Sequence, residues 1–252
     1  MCTLSVCSGV FGRFPLVVGA NRDEFYKRPS GPPFLISDSP RVFAPSDLKA
    51  GGTWLGVNEF AIFAGLTNLS GVAEIDSSKP SRGTVLLDAL KAKSAREAAA
   101  VAEEIVAKAP HNPFQALFCD LSTVYYLRYD GTCRLEKLGH GVWSLSNWDA
   151  FEALKNHKSS VVSKHIKAIP TDSDGIGMTA GIATMLADHT GNDWREHICV
   201  HTDIYGTMSS SIILLSQERY DSIYRFYEGH PCETASLDLS AKMTGALGWS
   251  GR

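Results

Sequence analysis

Residues 3–7 and 15–19 are short, mostly apolar runs of strand length, and four polar residues, Asn21, Arg22, Asp23 and Glu24, follow closely on the second. Residues 27–33 carry Pro29, Pro32, Pro33 and Gly31, which deny regular pairing and predict irregular chain. A hairpin is expected next, with 51–57 outgoing, Asn58-Glu59 at the turn and 60–66 returning into Thr67-Asn68. Within 84–93, Val85, Leu86, Ala89 and Leu90 fall at helical spacing. A second helix, 95–109, starts after Ser94 as N-cap and stops at Pro110, and its alanine-rich sequence points to close packing on a neighbour. Strand patterns then return at 114–119, 123–129, 133–138 and 142–146, with Asp130-Gly131 as a hairpin turn and Asn147 just after the last. Residues 149–168 and 176–189 read as helices around a polar loop at 170–175. Residues 198–201, 207–215 and 220–227 read as closing strands, and the polar, Gly-containing tail from Leu237 as irregular.

The order is therefore strands, two helices, strands, two or three helices, strands. Two antiparallel sheets with helices on both outer faces account for it, an α+β, four-layer αββα sandwich. The strict alternation of a parallel sheet does not. With no repeat, low-complexity tract or linker, residues 1–252 are expected to form a single domain.

Composition narrows the function classes. A net charge of −3 gives no reason to expect nucleic acid or an anionic membrane as partner. No apolar run approaches the roughly 20 residues of an integral membrane segment. Arg13 comes after the first apolar run, the reverse of signal-peptide order. The six cysteines include no CxxC pair, which suits a reducing cytoplasm. A cytoplasmic protein acting on a small molecule is the expectation, its ligand an amide or an apolar compound.

Candidate chemistry starts at Cys2. Removal of Met1, usual before a small side chain, would leave this residue a free α-amine of reference pKa about 7.7–8.0 beside a thiol of about 8.5. Base and nucleophile would then share one residue, the chemistry of N-terminal-nucleophile hydrolases. Cys2 also reads as a small apolar residue opening a strand. Asn21, Asn68 and Asn147 each sit at or near a strand end. An amide NH₂ beside a backbone N–H is one way to build an oxyanion hole, each donor worth roughly 2.7–4 kcal/mol. Each asparagine alone reads equally as a turn residue. Asp23 can accept a hydrogen bond from the α-ammonium, and Arg22 or Arg82 can lower the thiol pKa by charge. Asp23 with Arg22 and Arg28 can also be a structural ion pair. Weaker patterns are the alternating His197, Cys199 and His201, which would share a strand face but show no fourth ligand or usual zinc spacing, and His140 and His201 as haem ligands. No phosphate loop or serine elbow occurs. No metal and no cofactor is expected.

Eight short stretches in order resemble the NRDE family, also called the transport and Golgi organisation protein 2 family. They are Met1-Cys2-Thr3-Leu4, Ala20-Asn21-Arg22-Asp23-Glu24 with Arg28-Pro29, Gly51-Gly52-Thr53-Trp54-Leu55-Gly56, Gly65-Leu66-Thr67-Asn68, Ser81-Arg82-Gly83, Asn112-Pro113-Phe114, Leu145-Ser146-Asn147 and Tyr205-Gly206-Thr207. That family in turn is similar to the cysteine N-terminal-nucleophile group of penicillin V acylase and bile salt hydrolase. The resemblance implies the αββα fold and an amidohydrolase working through an acyl-Cys2 intermediate. It implies Asp23 as orienting carboxylate, Asn147 as oxyanion donor, and Asn68 or the Thr67 backbone as the second donor. Asn21, Arg22, Thr67, Arg82 and Trp54 would bind substrate. Eukaryotic relatives are associated with haem and lipid handling, which implies a non-catalytic carrier as the alternative. The chain departs from these patterns at Ala20 and Met208, where arginines are usual, and at Trp148-Asp149-Ala150, where a tryptophan-proline stretch often stands. Arg22 and Arg82 are the substitutes nearest the site.

Overall fold

The computed structural model describes residues 2–147, 157–249 and 251. The first strand, β1 (Thr3–Ser8), is buried along its whole length. It pairs antiparallel with β2 (Leu16–Phe25) on one side and β10 (Gly141–Ser146) on the other. Beyond β2 come β11 (Tyr205–Leu215), β12 (Ile223–Glu228) and the two-residue β13 (Leu237–Asp238), completing a six-stranded sheet in the order β10-β1-β2-β11-β12-β13. The second sheet is a seven-stranded meander: β3 (Ser30–Asp38), β4 (Arg41–Asp47), β5 (Leu55–Asn58), β6 (Phe63–Asn68), β7 (Phe114–Cys119), β8 (Val124–Tyr129) and β9 (Cys133–Leu138).

Period-two alternation sorts the side chains into three cores. Leu4, Val6, Val18 and Ala20 face inward and meet Phe63, Leu117 and Tyr126 of the other sheet. Cys7, Val17, Ile212 and Leu214 face outward against α3 (His157–Ala168) and α4 (Gly175–Leu186). Ala64, Ala116 and Phe118 of the second sheet face α1 (Arg82–Ala89) and α2 (Ala95–Lys108), whose Ala98, Ala99 and Ala102 allow the close approach the sequence suggested. The layers are therefore α, β, β, α, as expected. None of the described helices is long and apolar enough to cross a membrane.

Several boundaries differ from the sequence expectation for identifiable reasons. The proline-rich stretch from Ser30 is not irregular: it forms β3 at a sheet edge. There the missing N–H groups of Pro32 and Pro33 cost no interior ladder bond, and the register shifts between Gly31 and Phe34. The hairpin after β5 turns over more residues than Asn58-Glu59, with Ala61 at a φ of 63°. The side chain of Asn58 ties that turn, accepting from the N–H groups of Phe60 and Ile62 at 3.0 Å and donating to the carbonyls of Leu90 and Ala92 at 2.8 and 2.7 Å. Residues 198–201 contribute only an isolated bridge, His201 to Gly206. The strand expected at 220–227 starts at Ile223, after a short 3-10 turn over Arg219–Asp221. The tail is not irregular either. It forms α5 (Ser240–Leu247), whose Met243 and Leu247 close one side of the inter-sheet core with Trp249. Of the helix expected at 149–168, the described part is α3, and residues 149–156 lie outside the described residues.

Asn58→Ala should therefore destabilise the fold by about 3 kcal/mol, because two buried carbonyls and two turn N–H groups lose their partner together. Urea denaturation that shows a lower midpoint with an unchanged slope checks this. An effect below about 0.5 kcal/mol would place the turn's stability elsewhere.

Candidate active site

The sheet ladders define the site. Thr3 pairs with Ser146 on β10 and with Asn21 on β2. The ladders end at Thr3; continued by one step, their register would bring Cys2 opposite Asn147 and Arg22. The Asn147 carbonyl accepts from the Ser70 N–H at 2.6 Å, however, and Asn147 is not part of the lining of the cavity at this end of the sandwich. Leu4, Leu145 and Ala20, two residues back on each strand, all belong to the inter-sheet core. Alternation therefore gives Cys2, Asn147 and Arg22 the same inward face. From the opposite sheet, Gly65 leaves room for Leu4, whose Cδ2 would lie only 2.9 Å from a Cβ there. Thr67 is the next inward position along that strand.

At this end of the sandwich the sheets part around a cavity of about 410 Å³, whose lining includes Cys2, Arg22, Asp23, Trp54, Asn68 and Arg82. Two glycines shape its wall. A Cβ on Gly52 would meet the Gly83 backbone at 2.5 Å, and one on Gly83 the Thr53 backbone at 2.8 Å, so the start of α1 lies directly on the chain before Trp54. The Thr53 N–H donates to the Gly83 carbonyl at 3.3 Å. That contact carries Arg82 and Trp54 to the cavity together.

Cys2 is partly exposed, and its sulfur lies 3.9 Å from the Asp23 backbone oxygen. Desolvation pushes the thiol pKa up, with the Asp23 charge adding to the rise and the Arg22 guanidinium opposing it. Asp23 is 3% exposed. Its Oδ1 accepts a 2.6 Å hydrogen bond from the Thr207 hydroxyl, and its backbone oxygen accepts one of 2.9 Å from Tyr205. Burial raises the Asp23 pKa, while Lys158 and the Thr207 hydrogen bond hold it down. Lys158 is the residue that sequence reasoning missed. It sits in the first turn of α3, 5% exposed, and donates to the Thr3 hydroxyl at 3.4 Å. The signal was present: Lys158 shares a helical stripe with Val161, Val162 and Ile166, all buried, so it occupies a core-facing position.

Arg22 is buried with its guanidinium over the Trp54 ring, 4.7 Å from the centroid, and reaches Ser30 Oγ at 3.5 Å. Arg82 donates to the Pro113 carbonyl at 3.1 Å. Burial lowers the pKa of both arginines. Arg28 pairs with Asp47 at 2.6 Å rather than with Asp23. Asn147 is buried, and its Oδ1 accepts no hydrogen bond among the described residues. The same holds for the hydroxyl of Thr67, which is fully buried and not part of the cavity lining.

Asn21 departs from the expectation. It donates to the carbonyls of Leu186 and Ile198, both at 2.9 Å, and accepts from the Ser210 hydroxyl at 2.6 Å. Its amide is used up holding β2 to the end of α4, so it is a scaffold residue and no substrate contact. The other pattern residues scatter. His140 Nδ1 lies 3.2 Å from the Ser8 hydroxyl, whereas His201 joins a separate cluster with Cys199 and Cys232.

The sequence model of the Transport and Golgi organisation 2 family matches residues 1–229. The chain belongs to that family. Its Mus musculus homologue is 40% identical over 58 residues, 22% of this chain and 21% of the relative, and the Homo sapiens homologue gives the same figures. That alignment spans about a fifth of the length of the relatives it matches. Solved structures share the fold over far more of the chain. The conjugated bile acid hydrolase of Clostridium perfringens has a TM-score of 0.60 at 13% identity, covering 96% of this chain and 93% of its own. A Caenorhabditis elegans N-acylethanolamine-hydrolyzing acid amidase orthologue has 0.58 at 12% identity, covering 84% and 92%. Penicillin V acylase of Agrobacterium tumefaciens has 0.56 at 16%, covering 90% and 83%. At such identities the likeness is one of fold, that of the N-terminal-nucleophile hydrolases.

The electrostatics of this family member generate a pH prediction. The Arg22 charge favours the Cys2 thiolate, so Arg22→Gln should raise the thiol pKa. Alkylation of Cys2 by iodoacetamide should then slow several-fold at pH 7–8, with its pH–rate curve moved to higher pH and the two proteins converging well above both pKa values. An unmoved curve would show that the guanidinium does not act on the sulfur.

Proposed function

We propose that the chain is a cysteine amidohydrolase that cleaves a linear acyl amide, with Cys2 as nucleophile once residue 1 has been removed. The observation that carries this reading is Cys2 on the wall of the cavity with Arg22 and Asp23, its sulfur 3.9 Å from the Asp23 backbone oxygen. In the reaction, the Cys2 α-amine accepts the thiol proton as the sulfur attacks the substrate carbonyl carbon. The oxyanion so formed is held by the Asn147 NH₂ and a second donor at Asn68 or the Thr67 backbone. Collapse breaks the C–N bond, the proton passes from the α-ammonium to the leaving amine, and a thioester remains on Cys2. Water, deprotonated by the same α-amine, then hydrolyses it and restores the thiol. Asp23, fixed by Thr207, orients the α-ammonium, and Lys158 offsets the carboxylate charge in a buried setting.

Support for the reaction class comes from the names of the structural neighbours, an acid amidase, a bile acid hydrolase and an acylase. The cavity walls suit an acyl group beside a polar portion: Trp54, Leu66 and Ile75 are apolar, while Arg22 and Arg82 share the wall with Asp23, Glu24 and an Arg28–Asp47 pair. A second reading, a carrier of haem, lipid or another apolar ligand, is favoured by one feature. Ile75 on the cavity lining and Phe25 and Ile204 in an adjoining depression are more than half exposed, an apolar surface at the mouth.

A panel of N-acyl amines tested against the chain beginning at Cys2 separates the two. Hydrolysis should be abolished in Cys2→Ala and lowered about 10²–10³-fold in kcat in Asn147→Ala, with a smaller change in KM. Ligand binding with no turnover, unchanged in Cys2→Ala, would select the carrier.

A further inference from the structure

Away from the cavity cluster, four ligand-type side chains converge where the loop after α4 meets the loop after β12. They are His189, Cys199, His201 and Cys232, and one ligand atom from each lies within 4.8 Å of all the others. Both cysteines are free thiols. Their sulfurs are 3.7 Å apart, and His201 Nε2 lies 3.5 Å from Cys199 Sγ and 3.2 Å from Cys232 Sγ. A tetrahedral Zn²⁺ with bonds of about 2.3 Å to sulfur and about 2.0–2.1 Å to nitrogen requires S–S edges of about 3.8 Å and S–N edges of about 3.6 Å. The three edges among Cys199, Cys232 and His201 are already close to those values, and the His189 ligand atom lies within 4.8 Å of each.

We propose that these four residues form a structural Zn²⁺ site. Two thiolates neutralise the ion and two imidazoles complete a closed tetrahedron, the donor set that selects zinc over the hard divalent cations. Binding replaces the two thiol protons, which leave to solvent. The outer groups fit. His201 presents Nε2 to the sulfurs, while its Nδ1 lies on the side of the Glu233 carboxylate, 3.9 Å away, one short side-chain movement from the hydrogen bond that orients a ligating histidine. The His230 ring stacks on the same imidazole at a centroid distance of 3.7 Å. His197, suggested by alternation along the sequence, is not a member; it packs edge-on against His189.

The site has a structural task. The segment from 187 to 204 has no strand of its own and is joined to the sheet by few backbone bonds. Between two of the ligands, Val200 donates its N–H to the Thr207 hydroxyl at 2.9 Å and accepts from the Thr207 N–H at 2.8 Å. Thr207 in turn holds Asp23. A metal at Cys199 and His201 would clamp the chain that positions Thr207, and would pin the loop carrying Cys232 to it.

The test uses the full chain, reduced, stripped with a chelator, and titrated with Co²⁺ and then Zn²⁺. One Co²⁺ should bind per chain with the intense visible bands of a tetrahedral site and a thiolate charge-transfer band, Zn²⁺ should displace it, and the thermal midpoint should rise with Zn²⁺. Cys232→Ser alters an exposed residue and spares the core. It should abolish the charge-transfer contribution of one thiolate and weaken binding by more than the roughly 10–100-fold that loss of an outer partner costs. His189→Ala should weaken it likewise, and His197→Ala should bind as wild type. Octahedral cobalt spectra, no binding by the reduced protein, or full affinity in Cys232→Ser would overturn the proposal. So would loss confined to His230→Ala and Glu233→Ala, which would move the ion to the cluster of His201, His230 and Glu233.

Discussion

A strand buried on both faces in the middle of a sheet is the constraint on which everything else depends. β1 begins at the third residue, is buried on both faces, and is paired on both edges. Its backbone donors and acceptors must therefore find partners in β2 and β10, because a buried unpaired group costs about 1–3 kcal/mol. That requirement fixes the register, and a slip by one residue would turn Leu4 and Val6 outward and Cys7 inward. The same register delivers Cys2 to the point where the sheets part. The position of the candidate nucleophile is thus a by-product of packing, held by the whole inter-sheet core rather than by contacts of its own.

Around that point the protein gathers more charge than burial favours. Arg22, Asp23 and Lys158 are all nearly inaccessible. Each is tolerated through a specific arrangement: a tryptophan face under Arg22, the Thr207 hydroxyl on Asp23, and the Lys158 ammonium acting on the Asp23 carboxylate. Such groups are expensive as structure alone, and their convergence beside one thiol is the physical argument for chemistry there. Lys158 and Arg22 also supply the positive charge buried nearest that carboxylate and thiol.

The sandwich itself was legible because its signals are periodic. Strands 114–119 and 133–138 and helix 95–108 follow directly from alternation and capping, and Asn147 was marked by standing at a strand end. What the sequence hid depends on partners far along the chain. β3 pairs despite its prolines because it lies at an edge, which no local pattern reveals. The tail looked irregular because two apolar contacts, Met243 and Leu247, decide its helix. Asn21 looked like a site residue for the same reason that Asn147 did, and only the distant carbonyls of Leu186 and Ile198 assign it to the scaffold. The His and Cys cluster needs Cys232, 31 residues beyond His201, to bring its last ligand.

The central claim is that the Cys2 sulfur becomes acylated during turnover. Mixing the chain that begins at Cys2 with an activated acyl amide, quenching in acid within milliseconds to seconds, and reading the intact and peptide masses observes this step directly. The account predicts one acyl group per chain, confined to the peptide carrying Cys2, appearing before the product acid and decaying as that acid accumulates. Product formed with no adduct on Cys2, or an adduct spread over the other cysteines, would contradict it.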